Sequence, residues 1–176
     1  ITTKSKVNKN LINFFNDYPT SYSDDNFMTR WRYYANTPLE ETLKKELYPQ
    51  LMSFIKDKDI LTAANMLLNY VQTGLEYEYD DKVWGHDRAF FAEETLYYPY
   101  CDCEDRAILY SKLVRDLLGL NVLLVYYPGH MCTAVNFKDG AHGDYLTLDG
   151  MIYTVCDPTY IGAPVGATMP GMDNRT

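Results

Sequence analysis

The sequence predicts an α+β domain, helices packed on an antiparallel sheet, on three observations. First, Ile60, Leu61, Ala64, Leu67, Leu68 and Val71 recur at the helical period, and so do Cys103, Ala107, Tyr110, Ser111, Val114 and Leu118. Second, the period changes after Gly119. Residues 121–127 (NVLLVYY) and 130–137 (HMCTAVNF) are β-rich runs parted by Pro128-Gly129. Third, residues 144–148 and 152–156 flank Asp149-Gly150-Met151 as in a hairpin.

Taken in order, Val7, Leu11, Ile12, Phe14 and Phe15 predict a short amphipathic helix ending near Pro19. Residues 20–26 (TSYSDDN) read as loop. Residues 27–35 are rich in aromatics, with two arginines, and residues 39–55 look helical, broken or bent at Pro49. The 60–71 stripe stops at Thr73-Gly74, and a short extended piece follows at 75–79. Residues 80–99 read as irregular. Their aromatics either sit over a cleft or, through Trp84, Phe90, Phe91 and Leu96, plug the core. Residues 121–127 are nearly continuously apolar, as in a central strand. The expected layout is an N-terminal helical region at 1–58 packed on the core, the core at 59–161, and a tail at 162–176 without an obvious element, which either crosses the surface or continues into a longer chain.

With 176 residues, the chain is long enough for one sizeable core. Its formal charge of −8 disfavours nucleic acid and anionic membrane as partners. Seventeen tyrosines supply rings with polar tips, suited to lining grooves. No apolar run is long enough to span a membrane. The chain begins at Ile1 and reads as a processed or excised segment. A periplasmic or cell-surface location follows only if an upstream signal was removed. The sequence assigns no location or oligomeric state.

Cys101, Cys103, Cys132 and Cys156 have no zinc spacing and are too sparse for a disulfide scaffold. Cys132 and Cys156 either bridge or simply pack together. Asp24-Asp25 and Asp80-Asp81 lack the spacing of a calcium loop and read as solvated turns. No metal and no cofactor is expected.

The stretch that carries chemistry is residues 100–119. Asp102 can cap a helix start, Asp105 can reach back to it, and Gly119 can end the helix. Cys103 then lies in the first turn, where the helix dipole favours a thiolate. Glu104 and Asp105 oppose that shift, so a cationic partner is required. His130 opens a strand after a Pro-Gly turn, and Asp157 closes another before Pro158. Side chains at element ends can meet at a cleft. A histidine there takes the thiol proton and an aspartate orients the imidazole. Alternation places His130, Cys132, Ala134 and Asn136 on one face, where the small Cys132 and Ala134 would admit the Cys103 helix. Spacing alone leaves open a structural reading: a small buried cysteine, a turn histidine and a helix-stop aspartate.

The blocks D-C-E-D-R-A-x-L, H-M-C-T-A-V and V-C-D-P-T-Y, in that order, resemble the transglutaminase-like superfamily of papain-like fold, bacterial type. The upstream VQTGLEYEYD and EETL segments share the resemblance, which covers residues 60–161. It implies a papain-like core, with Cys103 as nucleophile, His130 as base and Asp157 as orienter. It also implies acyl transfer on peptide or glutamine amides. Hydrolysis by a peptidase or amidase is the leading reading. Crosslinking to an amine is one alternative; an inactive domain binding peptide, glycan or protein is the other. The departures are Cys101 where many members carry glycine, Met131-Cys132 in place of Ala-Trp, and an extra stretch at 138–150. Trp84, His86 or a tyrosine would have to supply the missing aromatic wall. Gln72 reads as a helix-end residue or an amide donor to an oxyanion. His86 and His142 read as surface residues, while Asp144 and Asp149 compete with Asp157 as orienter.

Overall fold

The computed structural model describes residues 1–18 and 27–172. The loop expected at 20–26, with its Asp24-Asp25 pair, and the last four residues lie outside these. Four helices come first: α1 (Lys9–Asn16), α2 (Phe27–Asn36), α3 (Glu41–Ile55) and α4 (Ile60–Gly74). Short elements follow: β1 (Glu76–Tyr77), α5 (Asp80–Val83), α6 (Ala92–Tyr97) and β2 (Tyr100–Cys101). The long helix α7 (Cys103–Leu118) then leads into β3 (Val122–Tyr127), β4 (His130–Val135), β5 (Tyr145–Leu148) and β6 (Met151–Cys156). Strands β3 to β6 form an antiparallel sheet in the order β3-β4-β6-β5, and β1 pairs with β2 in parallel. The architecture is α+β. Among the described residues, no helix is long and apolar enough to cross a membrane.

The helices form where apolar spacing and caps agree. Leu43, Leu47, Leu51 and Ile55 of α3 are all buried at four-residue spacing. The helix runs through Pro49 without a break. Proline removes the bond to the Lys45 carbonyl, but Lys45 and Pro49 are both exposed, so water can satisfy that oxygen. Asp59 caps α4, its Oδ1 accepting from Thr62 N–H at 2.9 Å.

One apolar cluster joins Phe15 of α1, Trp31 and Tyr34 of α2, the α3 stripe, and the inner faces of α4 and α7. Phe91 sits at its centre, with ring centroids 4.2 Å from Phe15 and 4.5 Å from Tyr34. Phe90 and Phe91 are buried and Leu96 packs against the cluster, so this part of the 80–99 segment plugs the core. The segment is also more regular than its sequence suggests. Its short helix α6 starts where Glu94 accepts from Phe91 N–H at 2.9 Å and pairs with Arg88 at 2.5 Å. Such a helix depends on tertiary partners rather than on its own periodicity.

The sheet corrects two expectations. Strand β3 lies at an edge, not at the centre; β4 and β6 are the inner strands. Its apolar run packs on both faces, Val122 and Leu124 against one cluster and Leu123, Val125 and Tyr127 against another, a pattern that sequence does not distinguish from a central position. The second concerns the face that meets α7. Met131, Val135 and Cys156 share the main cluster with α7, whereas Cys132 and Ala134 face a second cluster with Val125, Tyr127, Tyr153 and Val155. The helix therefore packs on the opposite face from the one expected. Cys132 and Cys156 point to opposite sides of the sheet, and both are free thiols.

Two turns follow local chemistry. Asp149 (φ 51°) and Gly150 (φ 76°) close the β5–β6 hairpin with Leu148 opposite Met151. Gly119 ends α7 at φ 65°, with its N–H donating to Arg115 O at 3.2 Å. Nothing lies within 4 Å of where a Cβ would stand on Gly119. Gly119→Ala should thus meet only the backbone penalty and destabilise by about 1–2 kcal/mol, read as a lower denaturant midpoint at unchanged slope.

Candidate active site

Helix α7 presents Cys103 at its first position, and the Asp105 side chain reaching back to the Asp102 backbone fixes that start. Asp105 Oδ2 accepts from Asp102 N–H at 3.2 Å, and its Oδ1 accepts from Phe90 N–H at 2.7 Å. Arg106, fully buried, donates to the Leu75 carbonyl at 2.7 Å and to Cys101 Sγ at 3.4 Å. It ties the helix start to the end of α4. Cys101 is thus a buried strand residue.

The Cys103 thiol is nearly buried and donates to Glu104 Oε2 at 3.1 Å. Burial, then the Glu104 carboxylate beside it, push its pKa well above the ordinary thiol range. The Met131 backbone N–H points at the sulfur and opposes this. At rest, therefore, Cys103 is a thiol. Of the two acidic residues expected to resist a thiolate, Glu104 acts by direct contact, whereas Asp105 is turned inward. Glu104→Gln should remove a charge and a strong acceptor together. The expected outcome is faster alkylation of Cys103 at neutral pH, about tenfold for each unit the thiol pKa falls, read by mass spectrometry.

His130 enters β4 directly after the Pro128-Gly129 turn, paired in register with Tyr127. Its Nε2 lies 2.8 Å from Asp157 Oδ2, and the two residues are 6% and 1% exposed. The carboxylate favours the tautomer with hydrogen on Nε2, which makes Nδ1 the basic nitrogen. Asp157 is itself held: its Oδ1 accepts from Thr159 N–H at 2.9 Å and Tyr160 N–H at 3.2 Å. Gln72 of α4 fixes this loop. Its amide nitrogen donates to the carbonyls of Asp157, Tyr160 and Ala163 at 3.0, 2.8 and 3.0 Å. Its oxygen accepts from Gly162 N–H at 3.3 Å. Gln72 is therefore a clamp, not an oxyanion donor.

Cys103 and His130 line one cleft of about 300 Å³, together with Arg30, Trp31, Tyr77, Tyr79, Asp87, Asp102, Glu104 and Tyr126. Its aromatic wall includes Trp31 from α2 and tyrosines from β3 and the α4–α5 connection. Trp31 carries no motif, because its position depends on how α2 packs. Trp84 instead packs on Phe90 and Tyr98, with the Arg88 guanidinium 4.5 Å from its ring centroid. His86 and His142 are exposed, and so are Asp144 and Asp149, leaving Asp157 as the carboxylate on the imidazole. Asp80 is not a solvated turn residue: it is buried, accepts from Arg88 N–H at 2.5 Å, and is pushed up to about 6 by burial. A larger hollow of about 560 Å³ along α2, lined by Thr29, Arg32, Tyr33, Asn36, Thr37 and Pro38, holds no cysteine or histidine.

The arrangement gathers a thiol at a helix start, an imidazole oriented by a fixed carboxylate, and an aromatic, acidic cleft. Compared with family models, curated proteins and solved structures, the chain matches none.

Proposed function

We propose that the cleft carries out cysteine-dependent acyl transfer on peptide or glutamine amides, chiefly as hydrolysis, on a papain-like core of transglutaminase type. The observation that carries this reading is the His130–Asp157 bond of 2.8 Å, which orients an imidazole in the cleft that Cys103 lines. The proton moves at the moment of attack rather than beforehand, because the resting sulfur is protonated on Glu104. Substrate entering the cleft displaces Glu104 from the thiol. His130 Nδ1 takes the proton as sulfur attacks the amide carbon. Asp157 stabilises the imidazolium, which then protonates the departing amine or ammonia. The Cys103 backbone N–H, unpaired within the helix at its first position, is one donor to the oxyanion. Water releases the thioester in hydrolysis; a primary amine releases it as a crosslink.

The protonated sulfur favours a second reading, in which the aromatic cleft binds a peptide, glycan or protein without turnover. Both readings are separated by profiling the chain against a peptide and glutamine-amide library, with and without an added primary amine. Acyl transfer predicts released amine or ammonia that disappears in Cys103→Ala. Retention of ligands by both proteins, with no product from either, identifies the binding reading.

A further inference from the structure

We propose that Asp102, Cys103 and Glu104 form a binding site for a thiophilic divalent cation of the zinc type, which reversibly caps the Cys103 sulfur. A carboxylate oxygen from Asp102, another from Glu104, and Cys103 Sγ lie within 4.8 Å of one another. Zinc bonded to sulfur at about 2.3 Å and to carboxylate oxygens at about 2.0–2.2 Å would set tetrahedral ligands about 3.4–3.6 Å apart. Cys103 Sγ and Glu104 Oε2 already stand at 3.1 Å, so small side-chain adjustments complete the geometry.

A second observation points to a ligand. Asp102 is 8% exposed, lines the cleft, and its Oδ1 is buried with no hydrogen-bond partner. A buried carboxylate oxygen facing other acids without a donor calls for a cation. Among the described residues no guanidinium bonds this oxygen, although Arg30 Nε in the same cleft is also without a partner. Arg30 pairs with Asp87 at 3.5 Å, Arg88 with Glu94 and Asn16, and Arg106 with backbone carbonyls and Cys101.

An all-oxygen alternative, Asp80 with Asp87 and Glu104, would suit a calcium-like ion. It is the poorer site. Asp80 already accepts from Arg88 N–H at 2.5 Å, and the exposed Asp87 is held by Arg30. The unpartnered oxygen belongs to Asp102, which groups both with Cys103 and Glu104 and with Asp80 and Asp105; in the latter group both Asp105 oxygens already accept N–H bonds, and a thiol in the former selects a softer ion. On binding, the metal–sulfur bond forms as the Cys103 thiol gives its proton to solvent. The two carboxylates supply oxygen bonds, and water fills the fourth position. No electron is transferred. A bound ion occupies the sulfur lone pair and blocks its reaction with electrophiles; a chelator restores it. The site needs only the three side chains and stands whether or not the cleft turns over amides.

The test titrates the chelator-treated full chain with Co²⁺ and reads absorbance. The expected result is a near-ultraviolet thiolate-to-cobalt band that saturates at one ion per chain and is removed by Zn²⁺. The band disappears in Cys103→Ser and persists in Cys101→Ser and Cys132→Ser. Asp102→Asn weakens binding by at least about tenfold, the scale seen when even an outer partner of a metal ligand is lost. Glu104→Gln does the same and serves if Asp102→Asn does not fold. Cobalt binding without the band, a band that survives Cys103→Ser, or displacement by Ca²⁺ as readily as by Zn²⁺ would overturn the proposal.

Discussion

Replacing His130 with alanine should lower amide turnover on the order of 10⁴-fold or more, with Cys103→Ala at least as severe. The two losses should not add, because in the proposed mechanism nucleophile and base act in one proton transfer. The structure also predicts how Asp157 differs from them. Its carboxylate binds His130 through Oδ2 and the following loop through Oδ1. Asp157→Ala should thus lower both turnover and stability, whereas His130→Ala should leave the loop in place. Steady-state kinetics beside urea unfolding separates the two effects. Equal turnover in wild type and His130→Ala would remove the imidazole from the chemistry.

The second large effect belongs to Gln72, far from any reacting atom. Gln72→Leu keeps the side-chain volume but leaves the Asp157, Tyr160 and Ala163 carbonyls and the Gly162 N–H without their partner. Each buried backbone group left unpaired costs about 1–3 kcal/mol. Water can reach some of these groups, so a loss of about 3 kcal/mol or more is expected, seen as a lower urea midpoint. Freed from the clamp, the loop would let Asp157 drift from the imidazole, and turnover should fall with stability. A Gln72→Leu protein within about 0.5 kcal/mol of wild type, the range of an ordinary surface substitution, would show that the amide clamps nothing of consequence.

Much of this architecture was legible because local rules and tertiary packing agree. The α4 stripe, the Asp102–Asp105 cap of α7, the Gly119 stop and the Asp149-Gly150 hairpin all follow from residues within a few positions of one another. The His130–Asp157 contact was legible differently: both residues sit where strands end, and β4 pairs with β6. What escaped the sequence depends on long-range placement. Period-two alternation groups His130 with Cys132 and Ala134, but cannot say that α7 takes the Met131 and Val135 side. A continuous apolar run does not reveal that β3 lies at an edge. Trp31 reaches the cleft through packing of α2, and α6 exists because Glu94 finds Phe91 N–H and Arg88. Glu104 was visible as an opposing charge, but not as the hydrogen-bond acceptor that keeps the sulfur protonated.

The pH dependence of Cys103 alkylation addresses the central claim most directly. Iodoacetamide is applied to wild type and His130→Ala across the neutral range, and mass spectrometry resolves Cys103 from the three other cysteines, all buried. Base assistance by the imidazole predicts that wild-type Cys103 is alkylated in the neutral range, because the base takes the thiol proton as sulfur attacks. In His130→Ala that neutral-range reaction should vanish, leaving only reaction at the alkaline pH toward which burial and Glu104 push the thiol. Superimposable profiles for the two proteins would contradict the account.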